Sequence, residues 1–412
     1  MISRPQPFGI LPLPAGWLVL PAEALADPAG ARVRDALLAG ALPASWPPAL
    51  RALELAAAGD AVAAAAAVDP RAGAEHAYNH YVLTGEPASL QQAGDGATGD
   101  LAALVAVAAY SLGQRPASDL PDPDGVTGEV AAHVLAARAA ARLEAGDPQG
   151  ALDALVAAEQ AAGEVSPVLA ALLLGQQATL LADVNGTDDD VLAAYAEAVD
   201  VLAGRDAVAG AAAELTLQLA VAHQERGALA EAVRAYHAAL RVLRKQTHPE
   251  RYAFGHSNLA LCYLSMPMTQ ARDTLRRGVA VQSLREALTV YTREAHPREW
   301  AAVTLNLANA LQHLPTTHPV ENLVEAVGMY EEVLAARPAD VDPVGHARTL
   351  ANQGTALAHL GIHDQARPKL LDARALFAAA GDDDAVATVD AALADVAAAG
   401  AAGAAAKAGV TP

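Results

Sequence analysis

The sequence predicts an all-α chain built as a solenoid of about seven to nine helix pairs, and three observations carry that reading. One phrase is written three times at fixed internal spacing: Pro249, Ala253, Asn258, then Pro297, Ala301, Asn306, then Pro343, Ala347, Asn352. The copies start 48 and 46 residues apart, and a repeat of this period marks a helical array whose usual product is a binding surface. Between the copies run amphipathic stretches with apolar residues at i, i+3 and i+4. Composition agrees, with 53% hydrophobic residues but only 4% aromatics in 412 residues, so burial falls to Ala and Leu, and alanine favours helix. A chain of this length exceeds the usual single globular domain, which does not limit a solenoid because each repeat contacts its neighbours.

Each Pro marks a helix start. Its missing donor would be unsatisfied in the first turn anyway and its φ is already helical, while Asp342 before Pro343 is a good N-cap. At about 100° per residue the small residues four and eleven positions past the Pro fall on one face and the Asn roughly opposite. The small residues form a packing face, and the Asn face is left for another use. Arg251 lies seven residues before Asn258, and Ser265, His313 and His359 lie seven past their asparagines, on nearly the same face.

Second helices are predicted at Glu231 to Leu243, Ser283 to Thr292, Leu323 to Ala336 and Gln365 to Ala379, with Tyr236, Tyr291, Tyr330 and Phe377 as aromatic anchors. The turns are Arg226-Gly227-Ala228 and Leu360-Gly361-Ile362, and two Pro-containing insertions are expected at Ser265 to Gly278 and Leu314 to Asn322.

From about Glu214 to Asp384 the chain resembles tetratricopeptide repeats (TPR), of the longer type found in kinesin light chain and many bacterial proteins. His248-Pro249 with Asn258-Leu259-Ala260, and His296-Pro297 with Asn306-Leu307-Ala308, match that pattern. The third copy departs with Asp342-Pro343 and Asn352-Gln353-Gly354, and the first of the family's paired asparagines is replaced by Ser257, Leu305 and Ala351. The resemblance implies a right-handed α-α superhelix whose helix A asparagines line a concave face and bond an extended peptide. It assigns that role to Asn258, Asn306 and Asn352. Bonding between neighbouring repeats is an equally good reason for three helical asparagines in register.

Upstream the repeats blur. Ala49 to Val68 reads as two helices about Gly59-Asp60, Glu129 to Ala162 as two about Gly146-Asp147-Pro148, and Val168 to Ala203 as two about Asn185 to Asp190. Helices at Ala74 to Leu83 and Leu101 to Leu112 are split by the Gly-rich Gln91 to Asp100. The expected organisation is a Pro-containing segment (1–30), a degenerate repeat region (31–213), a regular array (214–396) and an Ala/Gly low-complexity tail (397–412) that frays. A separate N-terminal α domain ending near Pro121 is the alternative, since Ser118 to Gly128 is rich in Asp, Pro and Gly.

Charge is uneven. The net value is −20, yet residues 1–200 hold 8 basic and 25 acidic side chains, and Arg226 to Arg298 hold 12 basic against 5 acidic. This island includes Arg241, Arg244, Lys245, Arg251, Arg272, Arg276, Arg277, Arg285 and Arg293. Arg recognises carboxylates through a planar fork, so an acidic peptide or partner is the preferred ligand. Neutralisation of the acidic half, or a simply solvated helix face, is the competing reading. The acidic whole-protein field and the lack of a known motif argue against nucleic acid.

Nothing catalytic emerges: no P-loop, dinucleotide fingerprint or G-x-S-x-G, and no cofactor is expected. His76/His80 and His359/His363 are i, i+4 pairs lacking a third ligand, so no metal is expected. Asp188 to Asp190 and Asp382 to Asp384 stand before helices, where acids cap. Cys262, the single cysteine, is a packing residue, and cytoplasmic location follows from its solitude. Pro12, Pro14 and Gly16 break the apolar stretch Phe8 to Leu20 that could otherwise serve as a secretion signal, and no membrane span is expected.

The function expected is a non-enzymatic adaptor that holds a peptide or partner protein through Asn258, Asn306, Asn352, Arg244, Lys245, Arg251, Arg293, His313 and His359. A ligand-responsive regulator is the alternative, and self-association, through an apolar end or the Phe8 to Pro21 segment, is a further expectation.

Overall fold

A computed structural model of the chain describes residues 3–6, 9–12, 18–267, 273–314 and 318–408. They divide into two compact units, Met1–Val242 and Leu243–Pro412.

Unit 1 opens with a short antiparallel hairpin, β1 (Ser3–Gln6) and β2 (Gly9–Pro12), in register from Ser3 opposite Pro12 to Gln6 opposite Gly9. The remaining regular structure among the described residues is helical, and the fold class is all-α. Helices α1 (Ala22–Leu25), α2 (Pro28–Leu38), α3 (Arg51–Ala57), α4 (Ala61–Ala66), α5 (Ala74–Thr84), α6 (Pro87–Gly96) and α7 (Gly99–Ser111) are short. Longer ones follow: α8 (Gly128–Glu144), α9 (Pro148–Gly163), α10 (Pro167–Asn185), α11 (Asp189–Leu202), α12 (Ala209–Glu225) and α13 (Leu229–Leu240). Unit 2 holds α14 (Pro249–Ser265), α15 (Asp273–Leu288), α16 (Pro297–Gln312), α17 (Pro319–Ala336), α18 (Pro343–His359), α19 (His363–Ala380) and α20 (Asp383–Ala408). Eight successive helix pairs result among the described residues: α3 with α4, α5 with α6, and then α8 with α9 through α18 with α19.

Helix starts are set by local chemistry. Pro249, Pro297 and Pro343 each occupy the first turn of their helix. Asp342 accepts the Gly345 amide at 2.9 Å, Asp147 that of Gly150 at 2.9 Å, and Asp188 that of Val191 at 2.9 Å. These contacts satisfy amides that have no partner within the helix. Gly361 closes the turn between α18 and α19 at φ 75°, a conformation glycine reaches without steric cost.

The packing register is longer than the phrase. In α14, α16 and α18 the residues four past the Pro, Ala253, Ala301 and Ala347, and those eleven past it, Ala260, Ala308 and Gly354, are all buried. The same two positions recur counting from Gly128, Pro167 and Ala209, as Ala132 with Ala139, Ala171 with Ala178 and Ala213 with Ala220, all buried. The Asn position is then filled by Ala137, Gln176 and Gln218. Six helices therefore share one small-residue face, and the loss of Asn in three of them, together with the loss of Pro in α8 and α12, hides those three from the sequence pattern. Gly354 shows how close the partner lies, since a Cβ there would stand 2.7 Å from Leu370 Cγ.

Several boundaries differ from expectation. Gln91 to Gly96 is helical as part of α6, because Pro87 provides a first-turn residue ahead of it. Helix α15 begins at Asp273 and α17 at Pro319, so both insertions are shorter than their Pro content suggests, and residues 268–272 and 315–317 of them lie outside the described residues. Tyr291 follows α15 and is nonetheless buried. The alanine-rich tail continues α20 as helix to Ala408. Among the described residues one helix, α10, is long and apolar enough to cross a membrane, against the expectation of none; half of it is buried within the fold, and its Val168, Leu169 and Leu173 sit in the core of unit 1.

Unit 1 also makes contacts that a linear array lacks. Ser166 Oγ donates to the Leu38 carbonyl at 2.7 Å, the Ala207 amide to the Gly40 carbonyl at 3.3 Å, and the Arg205 guanidinium to the Ala39 carbonyl. The end of α2 thus closes on the starts of α10 and α12. Residues 18–20 are buried in the same unit, pinned by Asn79, whose amide accepts from the Val19 N–H and donates to the Val19 carbonyl, both at 2.8 Å. Residues 18–20, at the end of the Phe8 to Pro21 segment, are therefore part of the core of unit 1.

Candidate functional site

The helix A asparagines lie on three helices tied into one core. Ala253 and Ala260 of α14, Leu307 and Ala308 of α16, and Ala356 of α18 belong to a single apolar cluster. With the small residues turned inward, Asn258, Asn306 and Asn352 are left half-buried, neither in the core nor fully solvated.

They do three different things. Asn258 Nδ2 donates to the Phe254 carbonyl at 3.1 Å, one turn back in its own helix. Asn352 Nδ2 donates across the repeat to Asn309 Oδ1 at 2.9 Å, and that oxygen also lies 2.7 Å from the Tyr330 hydroxyl, which in turn is 2.9 Å from Gln312 Oε1. No hydrogen bond to the Asn306 side chain is found among the described residues. The register therefore yields one amide turned to its own backbone, one bridging repeats and one available. Burial pushes the Tyr330 phenol up, so it stays a neutral donor.

A second polar node joins α17, α18 and α19. Gln353 Nε2 donates to Glu331 Oε2 at 2.7 Å, and Lys369 Nζ reaches the same oxygen at 3.3 Å. The Gln353 amide, then Lys369, hold the Glu331 carboxyl below the usual carboxylate range. Asn309, Gln312, Gln353 and Glu331 are absent from the sequence-derived set because none belongs to the repeated phrase. Asn309, three residues past Asn306 and so on its face, was the available signal.

The basic residues disperse. Arg244, Lys245 and Arg251 are exposed at or before the start of α14. Arg293 lies with its guanidinium 5.6 Å from the Trp300 ring centre, a cation–π geometry. Arg285 pairs with Glu325 at 2.9 and 3.1 Å, Arg226 with Asp189 at 2.8 Å and Arg234 with Glu231 at 3.0 Å. Arg272 lies outside the described residues. Part of the island is thus paired within the fold, Arg226 with an acid of the N-terminal half and Arg234 and Arg285 with acids outside it.

His313 and His359 end α16 and α18 and are exposed. Arg277 donates to the His313 carbonyl. Desolvation first, then the Arg277 and His359 charges, lower the His313 pKa.

No group of three or more His, Cys, Asp or Glu side chains with metal-binding geometry occurs among the described residues. His76 Nε2 faces Glu23 at 3.3 Å and His80 Nδ1 faces Ser89 Oγ at 2.9 Å, so that pair ties α5 to its neighbours. A shallow hollow of about 330 Å³ beside α7, lined by Gly99, Ala102, Ala103, Pro121, Asp122, Gly125 and Val126, offers one carboxylate and no acid–base partner. Cys262 is buried, which pushes its thiol up to about 11 and leaves it a packing group.

The paired helices and their shared small-residue face make this an all-α helical-repeat chain, whose repeat pattern resembles that of tetratricopeptide repeats. No protein-family model and no curated protein matches it. Solved structures are similar to it. BtubC from P. vanneervenii aligns over 56% of this chain and 91% of its own at 21% identity, with a TM-score of 0.42. YrrB, described as a TPR protein with an unusual peptide-binding site, aligns over 50% and 86% at 18% identity and 0.36. A signal-transduction ATPase with a tetratricopeptide repeat sensor from Pyrococcus horikoshii aligns over 79% and 52% at 12% identity and 0.48.

Proposed function

We propose that the chain is a non-enzymatic, cytoplasmic adaptor that holds a peptide or partner protein, an acidic one by preference, on the helix A face of unit 2. The observation that carries this reading is the row of half-buried asparagines on α14, α16 and α18, set opposite the packed small residues. An amide left half-buried without a full set of partners loses hydration that an extended backbone can restore. Asn306 is the principal contact, and Asn258 contributes through its remaining amide proton and oxygen. Asn352 acts mainly by holding α18 against α16. Arg251, Arg244, Lys245 and Arg293 flank the start of the face and favour carboxylates. Nucleic acid and membrane have no part in this proposal.

Pull-down from the native cell extract with the full chain as bait tests it. Asn306→Ala should reduce recovery of the specific partner several-fold with the melting temperature unchanged. Equal recovery by wild type and by the Asn258→Ala/Asn306→Ala double variant would remove this face as the binding surface.

A further inference from the structure

The stripe on which the asparagines lie carries its own charge pattern. Reading α18 at i, i+4, i+7 and i+11 gives Arg348, Asn352, Thr355 and His359, and the same positions of α16 give Ala302, Asn306, Asn309 and His313. In α14 they are Phe254, Asn258, Leu261 and Ser265. None of these twelve residues is acidic, in a chain with 47 acids against 27 bases. Arg348, His313 and His359 are exposed. The position held by the two histidines is Glu144, Asp183 and Glu225 in α8, α10 and α12 of unit 1. Packing therefore does not demand histidine there.

We propose that the end of this stripe formed by His313 and His359, with Arg348 on the same face and Arg277 beside His313, is an anion-recognising surface that grips the carboxylates of an acidic peptide segment and tightens as pH falls from 8 to 5.5. The proposal rests on the reading of the unit 2 face as the binding surface, and gives it a ligand chemistry and a control. In the free protein desolvation, then the Arg277 and His359 charges, hold the His313 pKa below its ordinary value and so favour the neutral ring. A bound carboxylate favours the charged imidazolium instead, so binding takes up a proton and lower pH strengthens it.

Among the described residues no carboxylate is paired with His313. Arg276 and Arg277 come from α15, and among the described residues the charges that lower the His313 pKa, after its desolvation, are those of Arg277 and His359. At the start of α17, Glu321 is 3.5 Å from His318. At the start of α19 stand His363 and Asp364, and Asp395 is on α20.

The probe is a fluorescein-labelled Glu-rich 12-residue peptide, with matched Lys-rich and Ser/Gly controls, titrated with the full chain by anisotropy at pH 8.0 and 5.5 and fixed ionic strength. Exposed charge pairs are individually weak, so the two histidines together should tighten the Glu-rich peptide by roughly three- to tenfold on acidification. His313→Gln/His359→Gln should abolish that gain, and His313→Arg/His359→Arg should give tight binding at both pH values. Asn306→Ala should weaken binding at both pH values and keep the gain. Binding to the Lys-rich control as strong as to the Glu-rich peptide, or an unchanged gain in the Gln double variant, would overturn the proposal. If the gain is lost in the Gln variant and Asn306→Ala has no effect, the histidine site stands and the asparagine face falls; the reverse pattern keeps the face and removes the histidines.

Discussion

Asn352 donates its side-chain amide to Asn309 Oδ1 at 2.9 Å, from one helix A to the preceding one. The same oxygen faces the Tyr330 hydroxyl at 2.7 Å, so a single carboxamide links α16, α17 and α18. An asparagine that repeats in sequence is here joined to one that does not repeat, and the pair braces the stack.

That brace sets a coupling energy. Asn309→Ala strands the Asn352 amide and one partner of the Tyr330 hydroxyl, and should cost about 1–3 kcal/mol. Asn352→Ala should cost about 1 kcal/mol, and the double variant less than the sum of the two. Urea unfolding of the four proteins gives the cycle. Strict additivity would show that the bond contributes nothing.

Two glycines on neighbouring helices should respond oppositely to alanine. At Gly354 a Cβ would meet Leu370 Cγ at 2.7 Å and the Ala366 carbonyl at 3.2 Å, and overpacking of this kind costs about 1–3 kcal/mol. At Gly328, exposed on α17, nothing lies within 4 Å, and the gain in helix propensity should stabilise by up to about 1 kcal/mol. Thermal melts of Gly354→Ala and Gly328→Ala should move in opposite directions, and parallel shifts would contradict the packing described.

Acidification should destabilise the fold within the histidine range. Burial is the first cause lowering the His223, His237 and His313 pKa values from 6.5. A group depressed in the folded state binds fewer protons there than in the unfolded chain, so its contribution is present above 6.5 and lost as pH falls through the folded values. The melting temperature should hold between pH 8 and 7 and decline from pH 6.5 to 5. His237→Gln should shallow that decline, and an unchanged slope would assign it elsewhere.

Cys262 should be silent in the native state. Its thiol is fully buried in α14 and held up to about 11, and the thiolate is the reactive form. Labelling with a disulfide reagent at pH 8 should proceed only on the timescale of unfolding and become fast in urea. Rapid native labelling would mean that α14 opens locally.

Local chemistry made much of the fold legible. Pro249, Pro297 and Pro343 mark helix starts because proline suits a first turn, and Asp342 and Asp188 cap because a carboxylate can take the first free amides. The alanines at fixed spacing declare the packed face because only small side chains let a neighbouring helix approach. These are relations within one turn or one helix, and residue order alone expresses them. The partners of the polar side chains were not legible. Asn258, Asn306 and Asn352 are equivalent in register, yet one bonds its own helix, one bonds Asn309 and one has no bond among the described residues.

By itself, then, the sequence determined the all-α class, the helix-pair rhythm and the face that α14, α16 and α18 pack. Those follow from propensity, capping and 3.6-residue periodicity. Tertiary structure alone decided that α2 closes onto the starts of α10 and α12, that Leu18 to Leu20 are core, and that the histidines of α16 and α18 bond no carboxylate among the described residues. Each of these depends on which distant groups meet once helices have packed, and the free energy of such a contact resides in the pair, which no single stretch of sequence contains.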